Sequence, residues 1–170
     1  DGEIIQGVLR KPLNFDSNKK YPLAIIVHGG PATFSPEALL WGDDVSLYPS
    51  VQFCHNDILV LKPNYRGSAG RGRDFLASLR NNLGMKELLD IEGAIEHLAK
   101  KGYIDPTKVG CMGWSQGGFI SAFAGNHSDK FRAVSVGAGI SNWYTYFVSS
   151  DIPKFTKDYL SDSPFKKREI

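Results

Sequence analysis

Apolar residues fall into two kinds of block along this chain. The first kind is short and nearly continuous: Tyr21-Pro22-Leu23-Ala24-Ile25-Ile26-Val27-His28, Asp57-Ile58-Leu59-Val60-Leu61-Lys62-Pro63 and Lys108-Val109-Gly110-Cys111-Met112. Runs of this length without a polar face predict strands buried on both sides, as in a parallel sheet. Residues 131–138 predict a further strand, and the loosely alternating residues 3–10 predict a half-exposed one. The second kind of block has helical spacing. Over residues 86–101, Leu88, Leu89, Ile91, Ile95 and Leu98 fall on one face, with Glu87, Asp90, Glu92 and Glu96 mostly elsewhere, and Gly102 is placed to end the helix. Residues 75–79 predict a short helical turn, and residues 118–124 a helix that ends near Gly125-Asn126. Asp105-Pro106-Thr107 and Gly29-Gly30-Pro31 read as turn and loop. Strands alternating with helices in this order predict a doubly wound, mostly parallel α/β sheet.

Composition narrows the class. The chain has 170 residues, 42% hydrophobic and 22% charged, about one domain of an ordinary globular protein. Its formal net charge of +2 is too balanced to point to nucleic acid or a membrane surface. The cluster Lys166-Lys167-Arg168 reads as a solvated segment. Two cysteines, Cys54 and Cys111, make no disulfide framework and suit a reducing, cytoplasmic setting. A secreted or periplasmic parent is the alternative. No apolar run is long enough to predict a membrane span, and Cys54 beside His55 has no second ligand pair to predict a metal site. The glycine-rich stretch 67–72 lacks the lysine and hydroxyl residue of a nucleotide-phosphate loop. No cofactor is expected.

The chemistry concentrates at Gly113-Trp114-Ser115-Gln116-Gly117, which reads G-x-S-x-G between a predicted strand and a predicted helix. That context is the one a nucleophile elbow needs. The sharp turn lifts the serine hydroxyl above the sheet, and the helix N-terminus behind it offers unpaired amides and a favourable dipole to a developing oxyanion. In such elbows the acid and then the histidine follow the serine in the chain. His127 is the only later histidine. It lies about three helical turns beyond Ser115, at the far end of the helix, out of the hydrogen-bond reach a base requires.

Three further stretches accompany the elbow: His28-Gly29-Gly30-Pro31, Asn64-Tyr65-Arg66-Gly67-Ser68, and the helix around Asp90 that ends in Gly102-Tyr103-Ile104-Asp105-Pro106. Together, over residues 2–146, they resemble the α/β-hydrolase catalytic domain of the prolyl oligopeptidase family of serine peptidases, its acylaminoacyl-peptidase-like and dipeptidyl-peptidase-like members above all. The resemblance implies that Ser115 is the acyl-accepting nucleophile. It also implies an oxyanion hole made by the backbone N–H of Gln116 and one from the His28–Pro31 loop, that of Gly30. His28 precedes the serine, so its expected part is to anchor the loop. Arg66 has two readings, a contact to a substrate carboxylate or a brace to an internal acid such as Asp90; its rigid fork favours the brace. Trp143 and Tyr146, after the strand that follows the elbow helix, are pocket candidates, because ligands of open α/β sheets bind at that edge. The other reading is that they are core.

Departures from the family pattern are also expected. Nothing resembles the family's β-propeller, and no Asp or His of these residues is assigned to the triad. Residues 1–170 are thus expected to be one α/β-hydrolase unit, incomplete at its C-terminal end. The strand at 131–138 would then be an exposed apolar edge through which the chain could form homo-oligomers. The expected function is hydrolysis of peptide, acylated-peptide or acyl-ester bonds through an acyl-enzyme on Ser115. The alternatives are a carboxylesterase of the same fold and a catalytically silent scaffold or interaction module.

Overall fold

The computed structural model describes residues 2–38 and 47–166. Its sheet has five strands, β1 (Gln6–Arg10), β2 (Tyr21–Val27), β3 (Leu59–Asn64), β4 (Ile104–Trp114) and β5 (Ala133–Gly137), in the spatial order β1-β3-β2-β4-β5. β1 runs antiparallel to β3, and the other pairings are parallel. The helices are α1 (Ser50–His55), α2 (Arg73–Ala77), α3 (Met85–Lys100), α4 (Gln116–His127), α5 (Trp143–Ser149) and α6 (Pro153–Leu160). Lys167 and Arg168 of the basic cluster lie outside the described residues.

Both faces of β2 are covered, which is why its sequence shows no polar alternation. Leu23, Ile25 and Val27 point into a core with Leu59 and Leu61 of β3, Ile91, Ile95 and Leu98 of α3, Val109 and Cys111 of β4, and Ile120 of α4. On the opposite face Ile26 packs with Val60 and Tyr48, against Phe53 and Cys54 of α1. The period of two along the strand divides these residues between the layers.

Four details differ from the expectations. The turn at Asp105-Pro106-Thr107 does not precede β4 but lies inside it. Tyr21 pairs with Ile104 and Leu23 with Val109, so β4 bulges there, and the Asp105 carboxylate accepts from the Thr107 N–H at 3.0 Å to hold the bulge. Leu89 is 52% exposed, while Glu87 and Asp90, placed on the polar side by their type, are buried. Both acids have buried partners, which outweigh the usual preference of carboxylates for solvent. α1, which carries Cys54, was not predicted by the hydrophobic pattern. Finally, α5 and α6 follow β5, where the hydrophobic pattern predicted no helix. Among the described residues β5 has a partner on one side only, and its Val134 and Val136 are exposed.

Candidate active site

The end of β4 and the start of α4 are joined by a single residue, Ser115, with φ 59° and ψ −122°. A left-handed φ is strained for a residue with a Cβ, and the packing around the turn must hold it there. The Ser115 N–H donates to the Gly137 carbonyl at 2.9 Å, and its carbonyl accepts from the Phe119 N–H at 3.0 Å. The glycines explain how the helix can begin so close to the sheet. A Cβ on Gly117 would lie 2.0 Å from the Val27 carbonyl oxygen. Ser115 is exposed and its side chain does not cap α4. Gln116 is the first residue of α4, so its backbone N–H is among the amides without an intrahelical acceptor.

The loop after β2 lies against this turn. A Cβ on Gly29 would sit 3.0 Å from the Trp114 carbonyl oxygen and 3.3 Å from the Ser115 Cβ. Gly30 follows, with φ +118°. His28 is buried, and both ring nitrogens are engaged: Nδ1 with the Gly29 carbonyl at 2.8 Å, Nε2 with the Ser68 hydroxyl at 2.9 Å. Its ring stacks on Tyr65, whose hydroxyl donates to the His28 carbonyl at 2.8 Å. Burial holds the imidazole pKa below its ordinary value. Tyr65 and Ser68 come from the loop after β3, so this cluster ties that loop to the one beside Ser115.

Arg66, in the same loop, meets Asp90 of α3. Its Nη2 donates to Oδ1 at 2.6 Å, its Nε to Oδ1 at 2.9 Å, and its backbone N–H to Oδ2 at 2.8 Å, with both side chains buried. Glu87, one turn earlier on α3, reaches toward the elbow: its Oε1 accepts from Gln116 Nε2 at 3.4 Å. Burial pushes the Glu87 carboxyl up to about 8. The sequence reading missed Glu87. The available signal was its position three residues after Gly84, the N-cap of α3, where a glutamate turns back over the helix start.

On the other side of Ser115, α5 starts soon after β5. The Trp143 ring meets Phe119 of α4 edge-on at 5.3 Å and Tyr146 edge-on at 6.0 Å, and stacks with Phe155 of α6 at 6.4 Å. Trp143 and Tyr146 are both half-buried, so this aromatic bank keeps one side open. Asn142 fixes the start of α5 by accepting from the Thr145 N–H at 2.9 Å.

None of the four histidines hydrogen-bonds Ser115. His127 closes the far end of α4, with Nδ1 on the Phe123 carbonyl at 2.9 Å and its ring stacked on Phe123. A cleft of about 800 Å³ between β1 and α3, lined in part by Gly7, Pro63, His97 and Tyr103, touches neither the elbow nor the aromatic bank. Among the described residues no group of three or more His, Cys, Asp or Glu side chains could hold a metal ion, and no helix is long and apolar enough to cross a membrane.

A mostly parallel sheet with a serine held at positive φ between a strand and a helix defines the α/β-hydrolase fold. The same architecture is found in uncomplexed Pyrococcus horikoshii acylaminoacyl peptidase, with a TM-score of 0.80 and 28% identity over 96% of this chain and 26% of that one. The chain belongs to the prolyl oligopeptidase family, whose sequence profile matches residues 45–169. It is 30% identical to the uncharacterized peptidase YuxL of Bacillus subtilis, over 94% of this chain and 23% of that protein. It is 31% identical to the acylamino-acid-releasing enzyme of Sus scrofa, over 89% of this chain and 20% of that protein. The chain therefore spans a fifth to about a quarter of the length of these relatives.

Proposed function

We propose that this chain carries the nucleophile and oxyanion-binding half of a serine peptidase active site. The observation that carries the reading is Ser115 itself: an exposed serine strained to φ 59° at the first turn of a helix, with a glycine loop packed on it. In the proposed reaction the Ser115 Oγ attacks a peptide carbonyl carbon while its proton passes to a base. The carbonyl oxygen becomes an oxyanion, held by the backbone N–H of Gln116 and that of Gly30. The C–N bond then breaks, the base returns the proton to the leaving amine, and the acyl group stays on Ser115 until water releases it. The base is supplied from outside residues 1–170, because none of the four histidines within them hydrogen-bonds Ser115. His28, Arg66 and Asp90 have a bracing role in this scheme. Their polar groups are spent on one another and on the loops, which supports bracing over a contact to substrate.

Trp143 and Tyr146 form one wall of the pocket for the substrate side chain before the scissile bond. Their half-burial and the contact of Trp143 with Phe119, one turn of α4 after Ser115, support this part of the proposal. The substrate class is a peptide, N-acylated ones included, in keeping with the name of the Sus scrofa relative. The test is hydrolysis of N-acetylated peptide anilides and the matching esters by the full-length protein and its Ser115→Ala variant. Anilide turnover that the variant loses by several orders of magnitude is expected. Turnover of esters alone would make the protein an esterase, and turnover surviving in Ser115→Ala would remove Ser115 from the chemistry.

A further inference from the structure

Glu87 is fully buried, at 0% exposure, in a place that is costly for an ionised carboxyl. Its one hydrogen bond to another side chain is the one that Oε1 accepts from Gln116 Nε2, and Gln116 is 1% exposed. Two polar atoms of this pair are left over. Glu87 Oε2 and Gln116 Oε1 have no hydrogen-bond partner among the described residues. They are the two atoms that a neutral carboxylic acid and a carboxamide join when they pair through two hydrogen bonds. A proton on Glu87 Oε2 provides the donor that Gln116 Oε1 lacks. An ionised carboxyl provides none and leaves Gln116 Oε1 without a donor.

Electrostatics acts in the same direction. Burial is the dominant influence on the Glu87 carboxyl, ahead of the amides of Glu87 and Gly84 and the Gln116 side chain, which favour the ionised form. The charged and titratable groups facing it are Asp90 from its own helix, Tyr65 from the loop after β3 and Tyr159 from α6. Asp90 is held by Arg66, and burial raises both phenols, so none of the three offers Glu87 a positive charge.

We propose that Glu87 is a positioning residue for the elbow: its carboxyl clamps the Gln116 side chain and thereby fixes the backbone N–H that Gln116 turns toward the oxyanion. The inference rests on the acyl-transfer reading above. The clamp joins the first turn of α3 to the first turn of α4, and it holds through two hydrogen bonds only while Glu87 carries its proton. Loss of that proton removes the second hydrogen bond, leaves Gln116 Oε1 without a donor, and lets the Gln116 amide drift from the position in which it was preorganised.

The test is the pH dependence of kcat and KM for a neutral N-acetyl peptide anilide, with the full-length protein and its Glu87→Gln and Glu87→Ala variants. A glutamine can keep both hydrogen bonds to Gln116 and has no proton to lose. The wild type is expected to lose kcat as pH rises through about 8. Glu87→Gln should keep the neutral-pH rate within about threefold and lack that alkaline limb. Glu87→Ala should lose roughly 10- to 100-fold in kcat at an almost unchanged KM, somewhat less than deleting an oxyanion donor outright. An alkaline limb unchanged in Glu87→Gln, or a wild-type kcat in Glu87→Ala, overturns the proposal. A second measurement does not depend on turnover. Difference infrared spectra of wild type against Glu87→Gln should show the C=O stretch of a neutral buried carboxyl that disappears as pH rises through about 8. Its absence at pH 6, roughly two units below that value, overturns the clamp even if activity is lost for other reasons. An active Ser115→Ala would instead remove the acyl-transfer reading and leave the infrared result to decide whether the pair exists.

Discussion

β2 and β5 both carry branched apolar side chains, in opposite surroundings. Leu23, Ile25 and Val27 of β2 are at most 1% exposed, whereas Val136 of β5 is 51% exposed. β2 lies between β3 and β4 and is covered on both faces, while among the described residues β5 pairs with β4 alone. Ser115 sits on the border between these regions, with Gly29 and Gln116 toward the packed side and Gly137 of β5 toward the open one. The elbow is therefore rigid from one direction. Its strain at φ 59° is held by β2, α3 and the braced loops.

If the packed side holds the elbow, damage there should be large. Arg66→Ala leaves Asp90 buried without its partner, and should lower stability by roughly 3–5 kcal/mol in urea unfolding. Arg66→Lys should recover only part of this, since an ammonium cannot reproduce the forked contact. A loss below about 1 kcal/mol would mean that the pair does not brace the loop. Gly117→Ala puts a methyl group 2.0 Å from the Val27 carbonyl oxygen and should lower stability by about 1–3 kcal/mol or more. Ser115 labelling should fall with it, because α4 must shift.

The Glu87 carboxyl gives a pH-dependent effect. Its pKa is raised in the folded state to about 8 from an ordinary 4.5. Between those values the folded chain holds a proton that the unfolded chain has released, so stability is greatest below about pH 4.5 and is lost as pH rises through about 8. The full difference is on the order of 5 kcal/mol at most, and Glu87→Gln should remove that part of the slope between unfolding curves at pH 5 and pH 8.5. An unchanged slope would show that Glu87 is ionised in the fold. On the open side the expectation reverses. Val136→Lys, at a side chain 51% exposed, should change stability by less than about 0.5 kcal/mol in urea unfolding.

Legibility in the sequence follows the same border. β2, β3 and the elbow strand could be read because burial on both faces leaves continuous apolar runs. α3 could be read from its period, and the elbow from glycines that close approach demands. The open side was harder. α5 is Trp-Tyr-Thr-Tyr-Phe-Val-Ser, rich in residues that favour strands, and its helix rests on the Asn142 cap and on ring contacts with α4 and α6. α6 had a usable signal, Pro153 at its first turn. Within the site, Ser115, Gln116 and the His28–Pro31 loop were legible because their backbone geometry needs particular residue types. The burial of Glu87 was not, because a glutamate on a helix ordinarily faces water and only the tertiary position of Gln116 gives it a partner.

The most direct measurement is mass-spectrometric mapping of a fluorophosphonate adduct on the full-length protein. Acyl-transfer chemistry at the elbow predicts a single adduct, on Ser115, formed quickly at neutral pH and absent from Ser115→Ala. An adduct on another serine, or equal labelling of the variant, would contradict it.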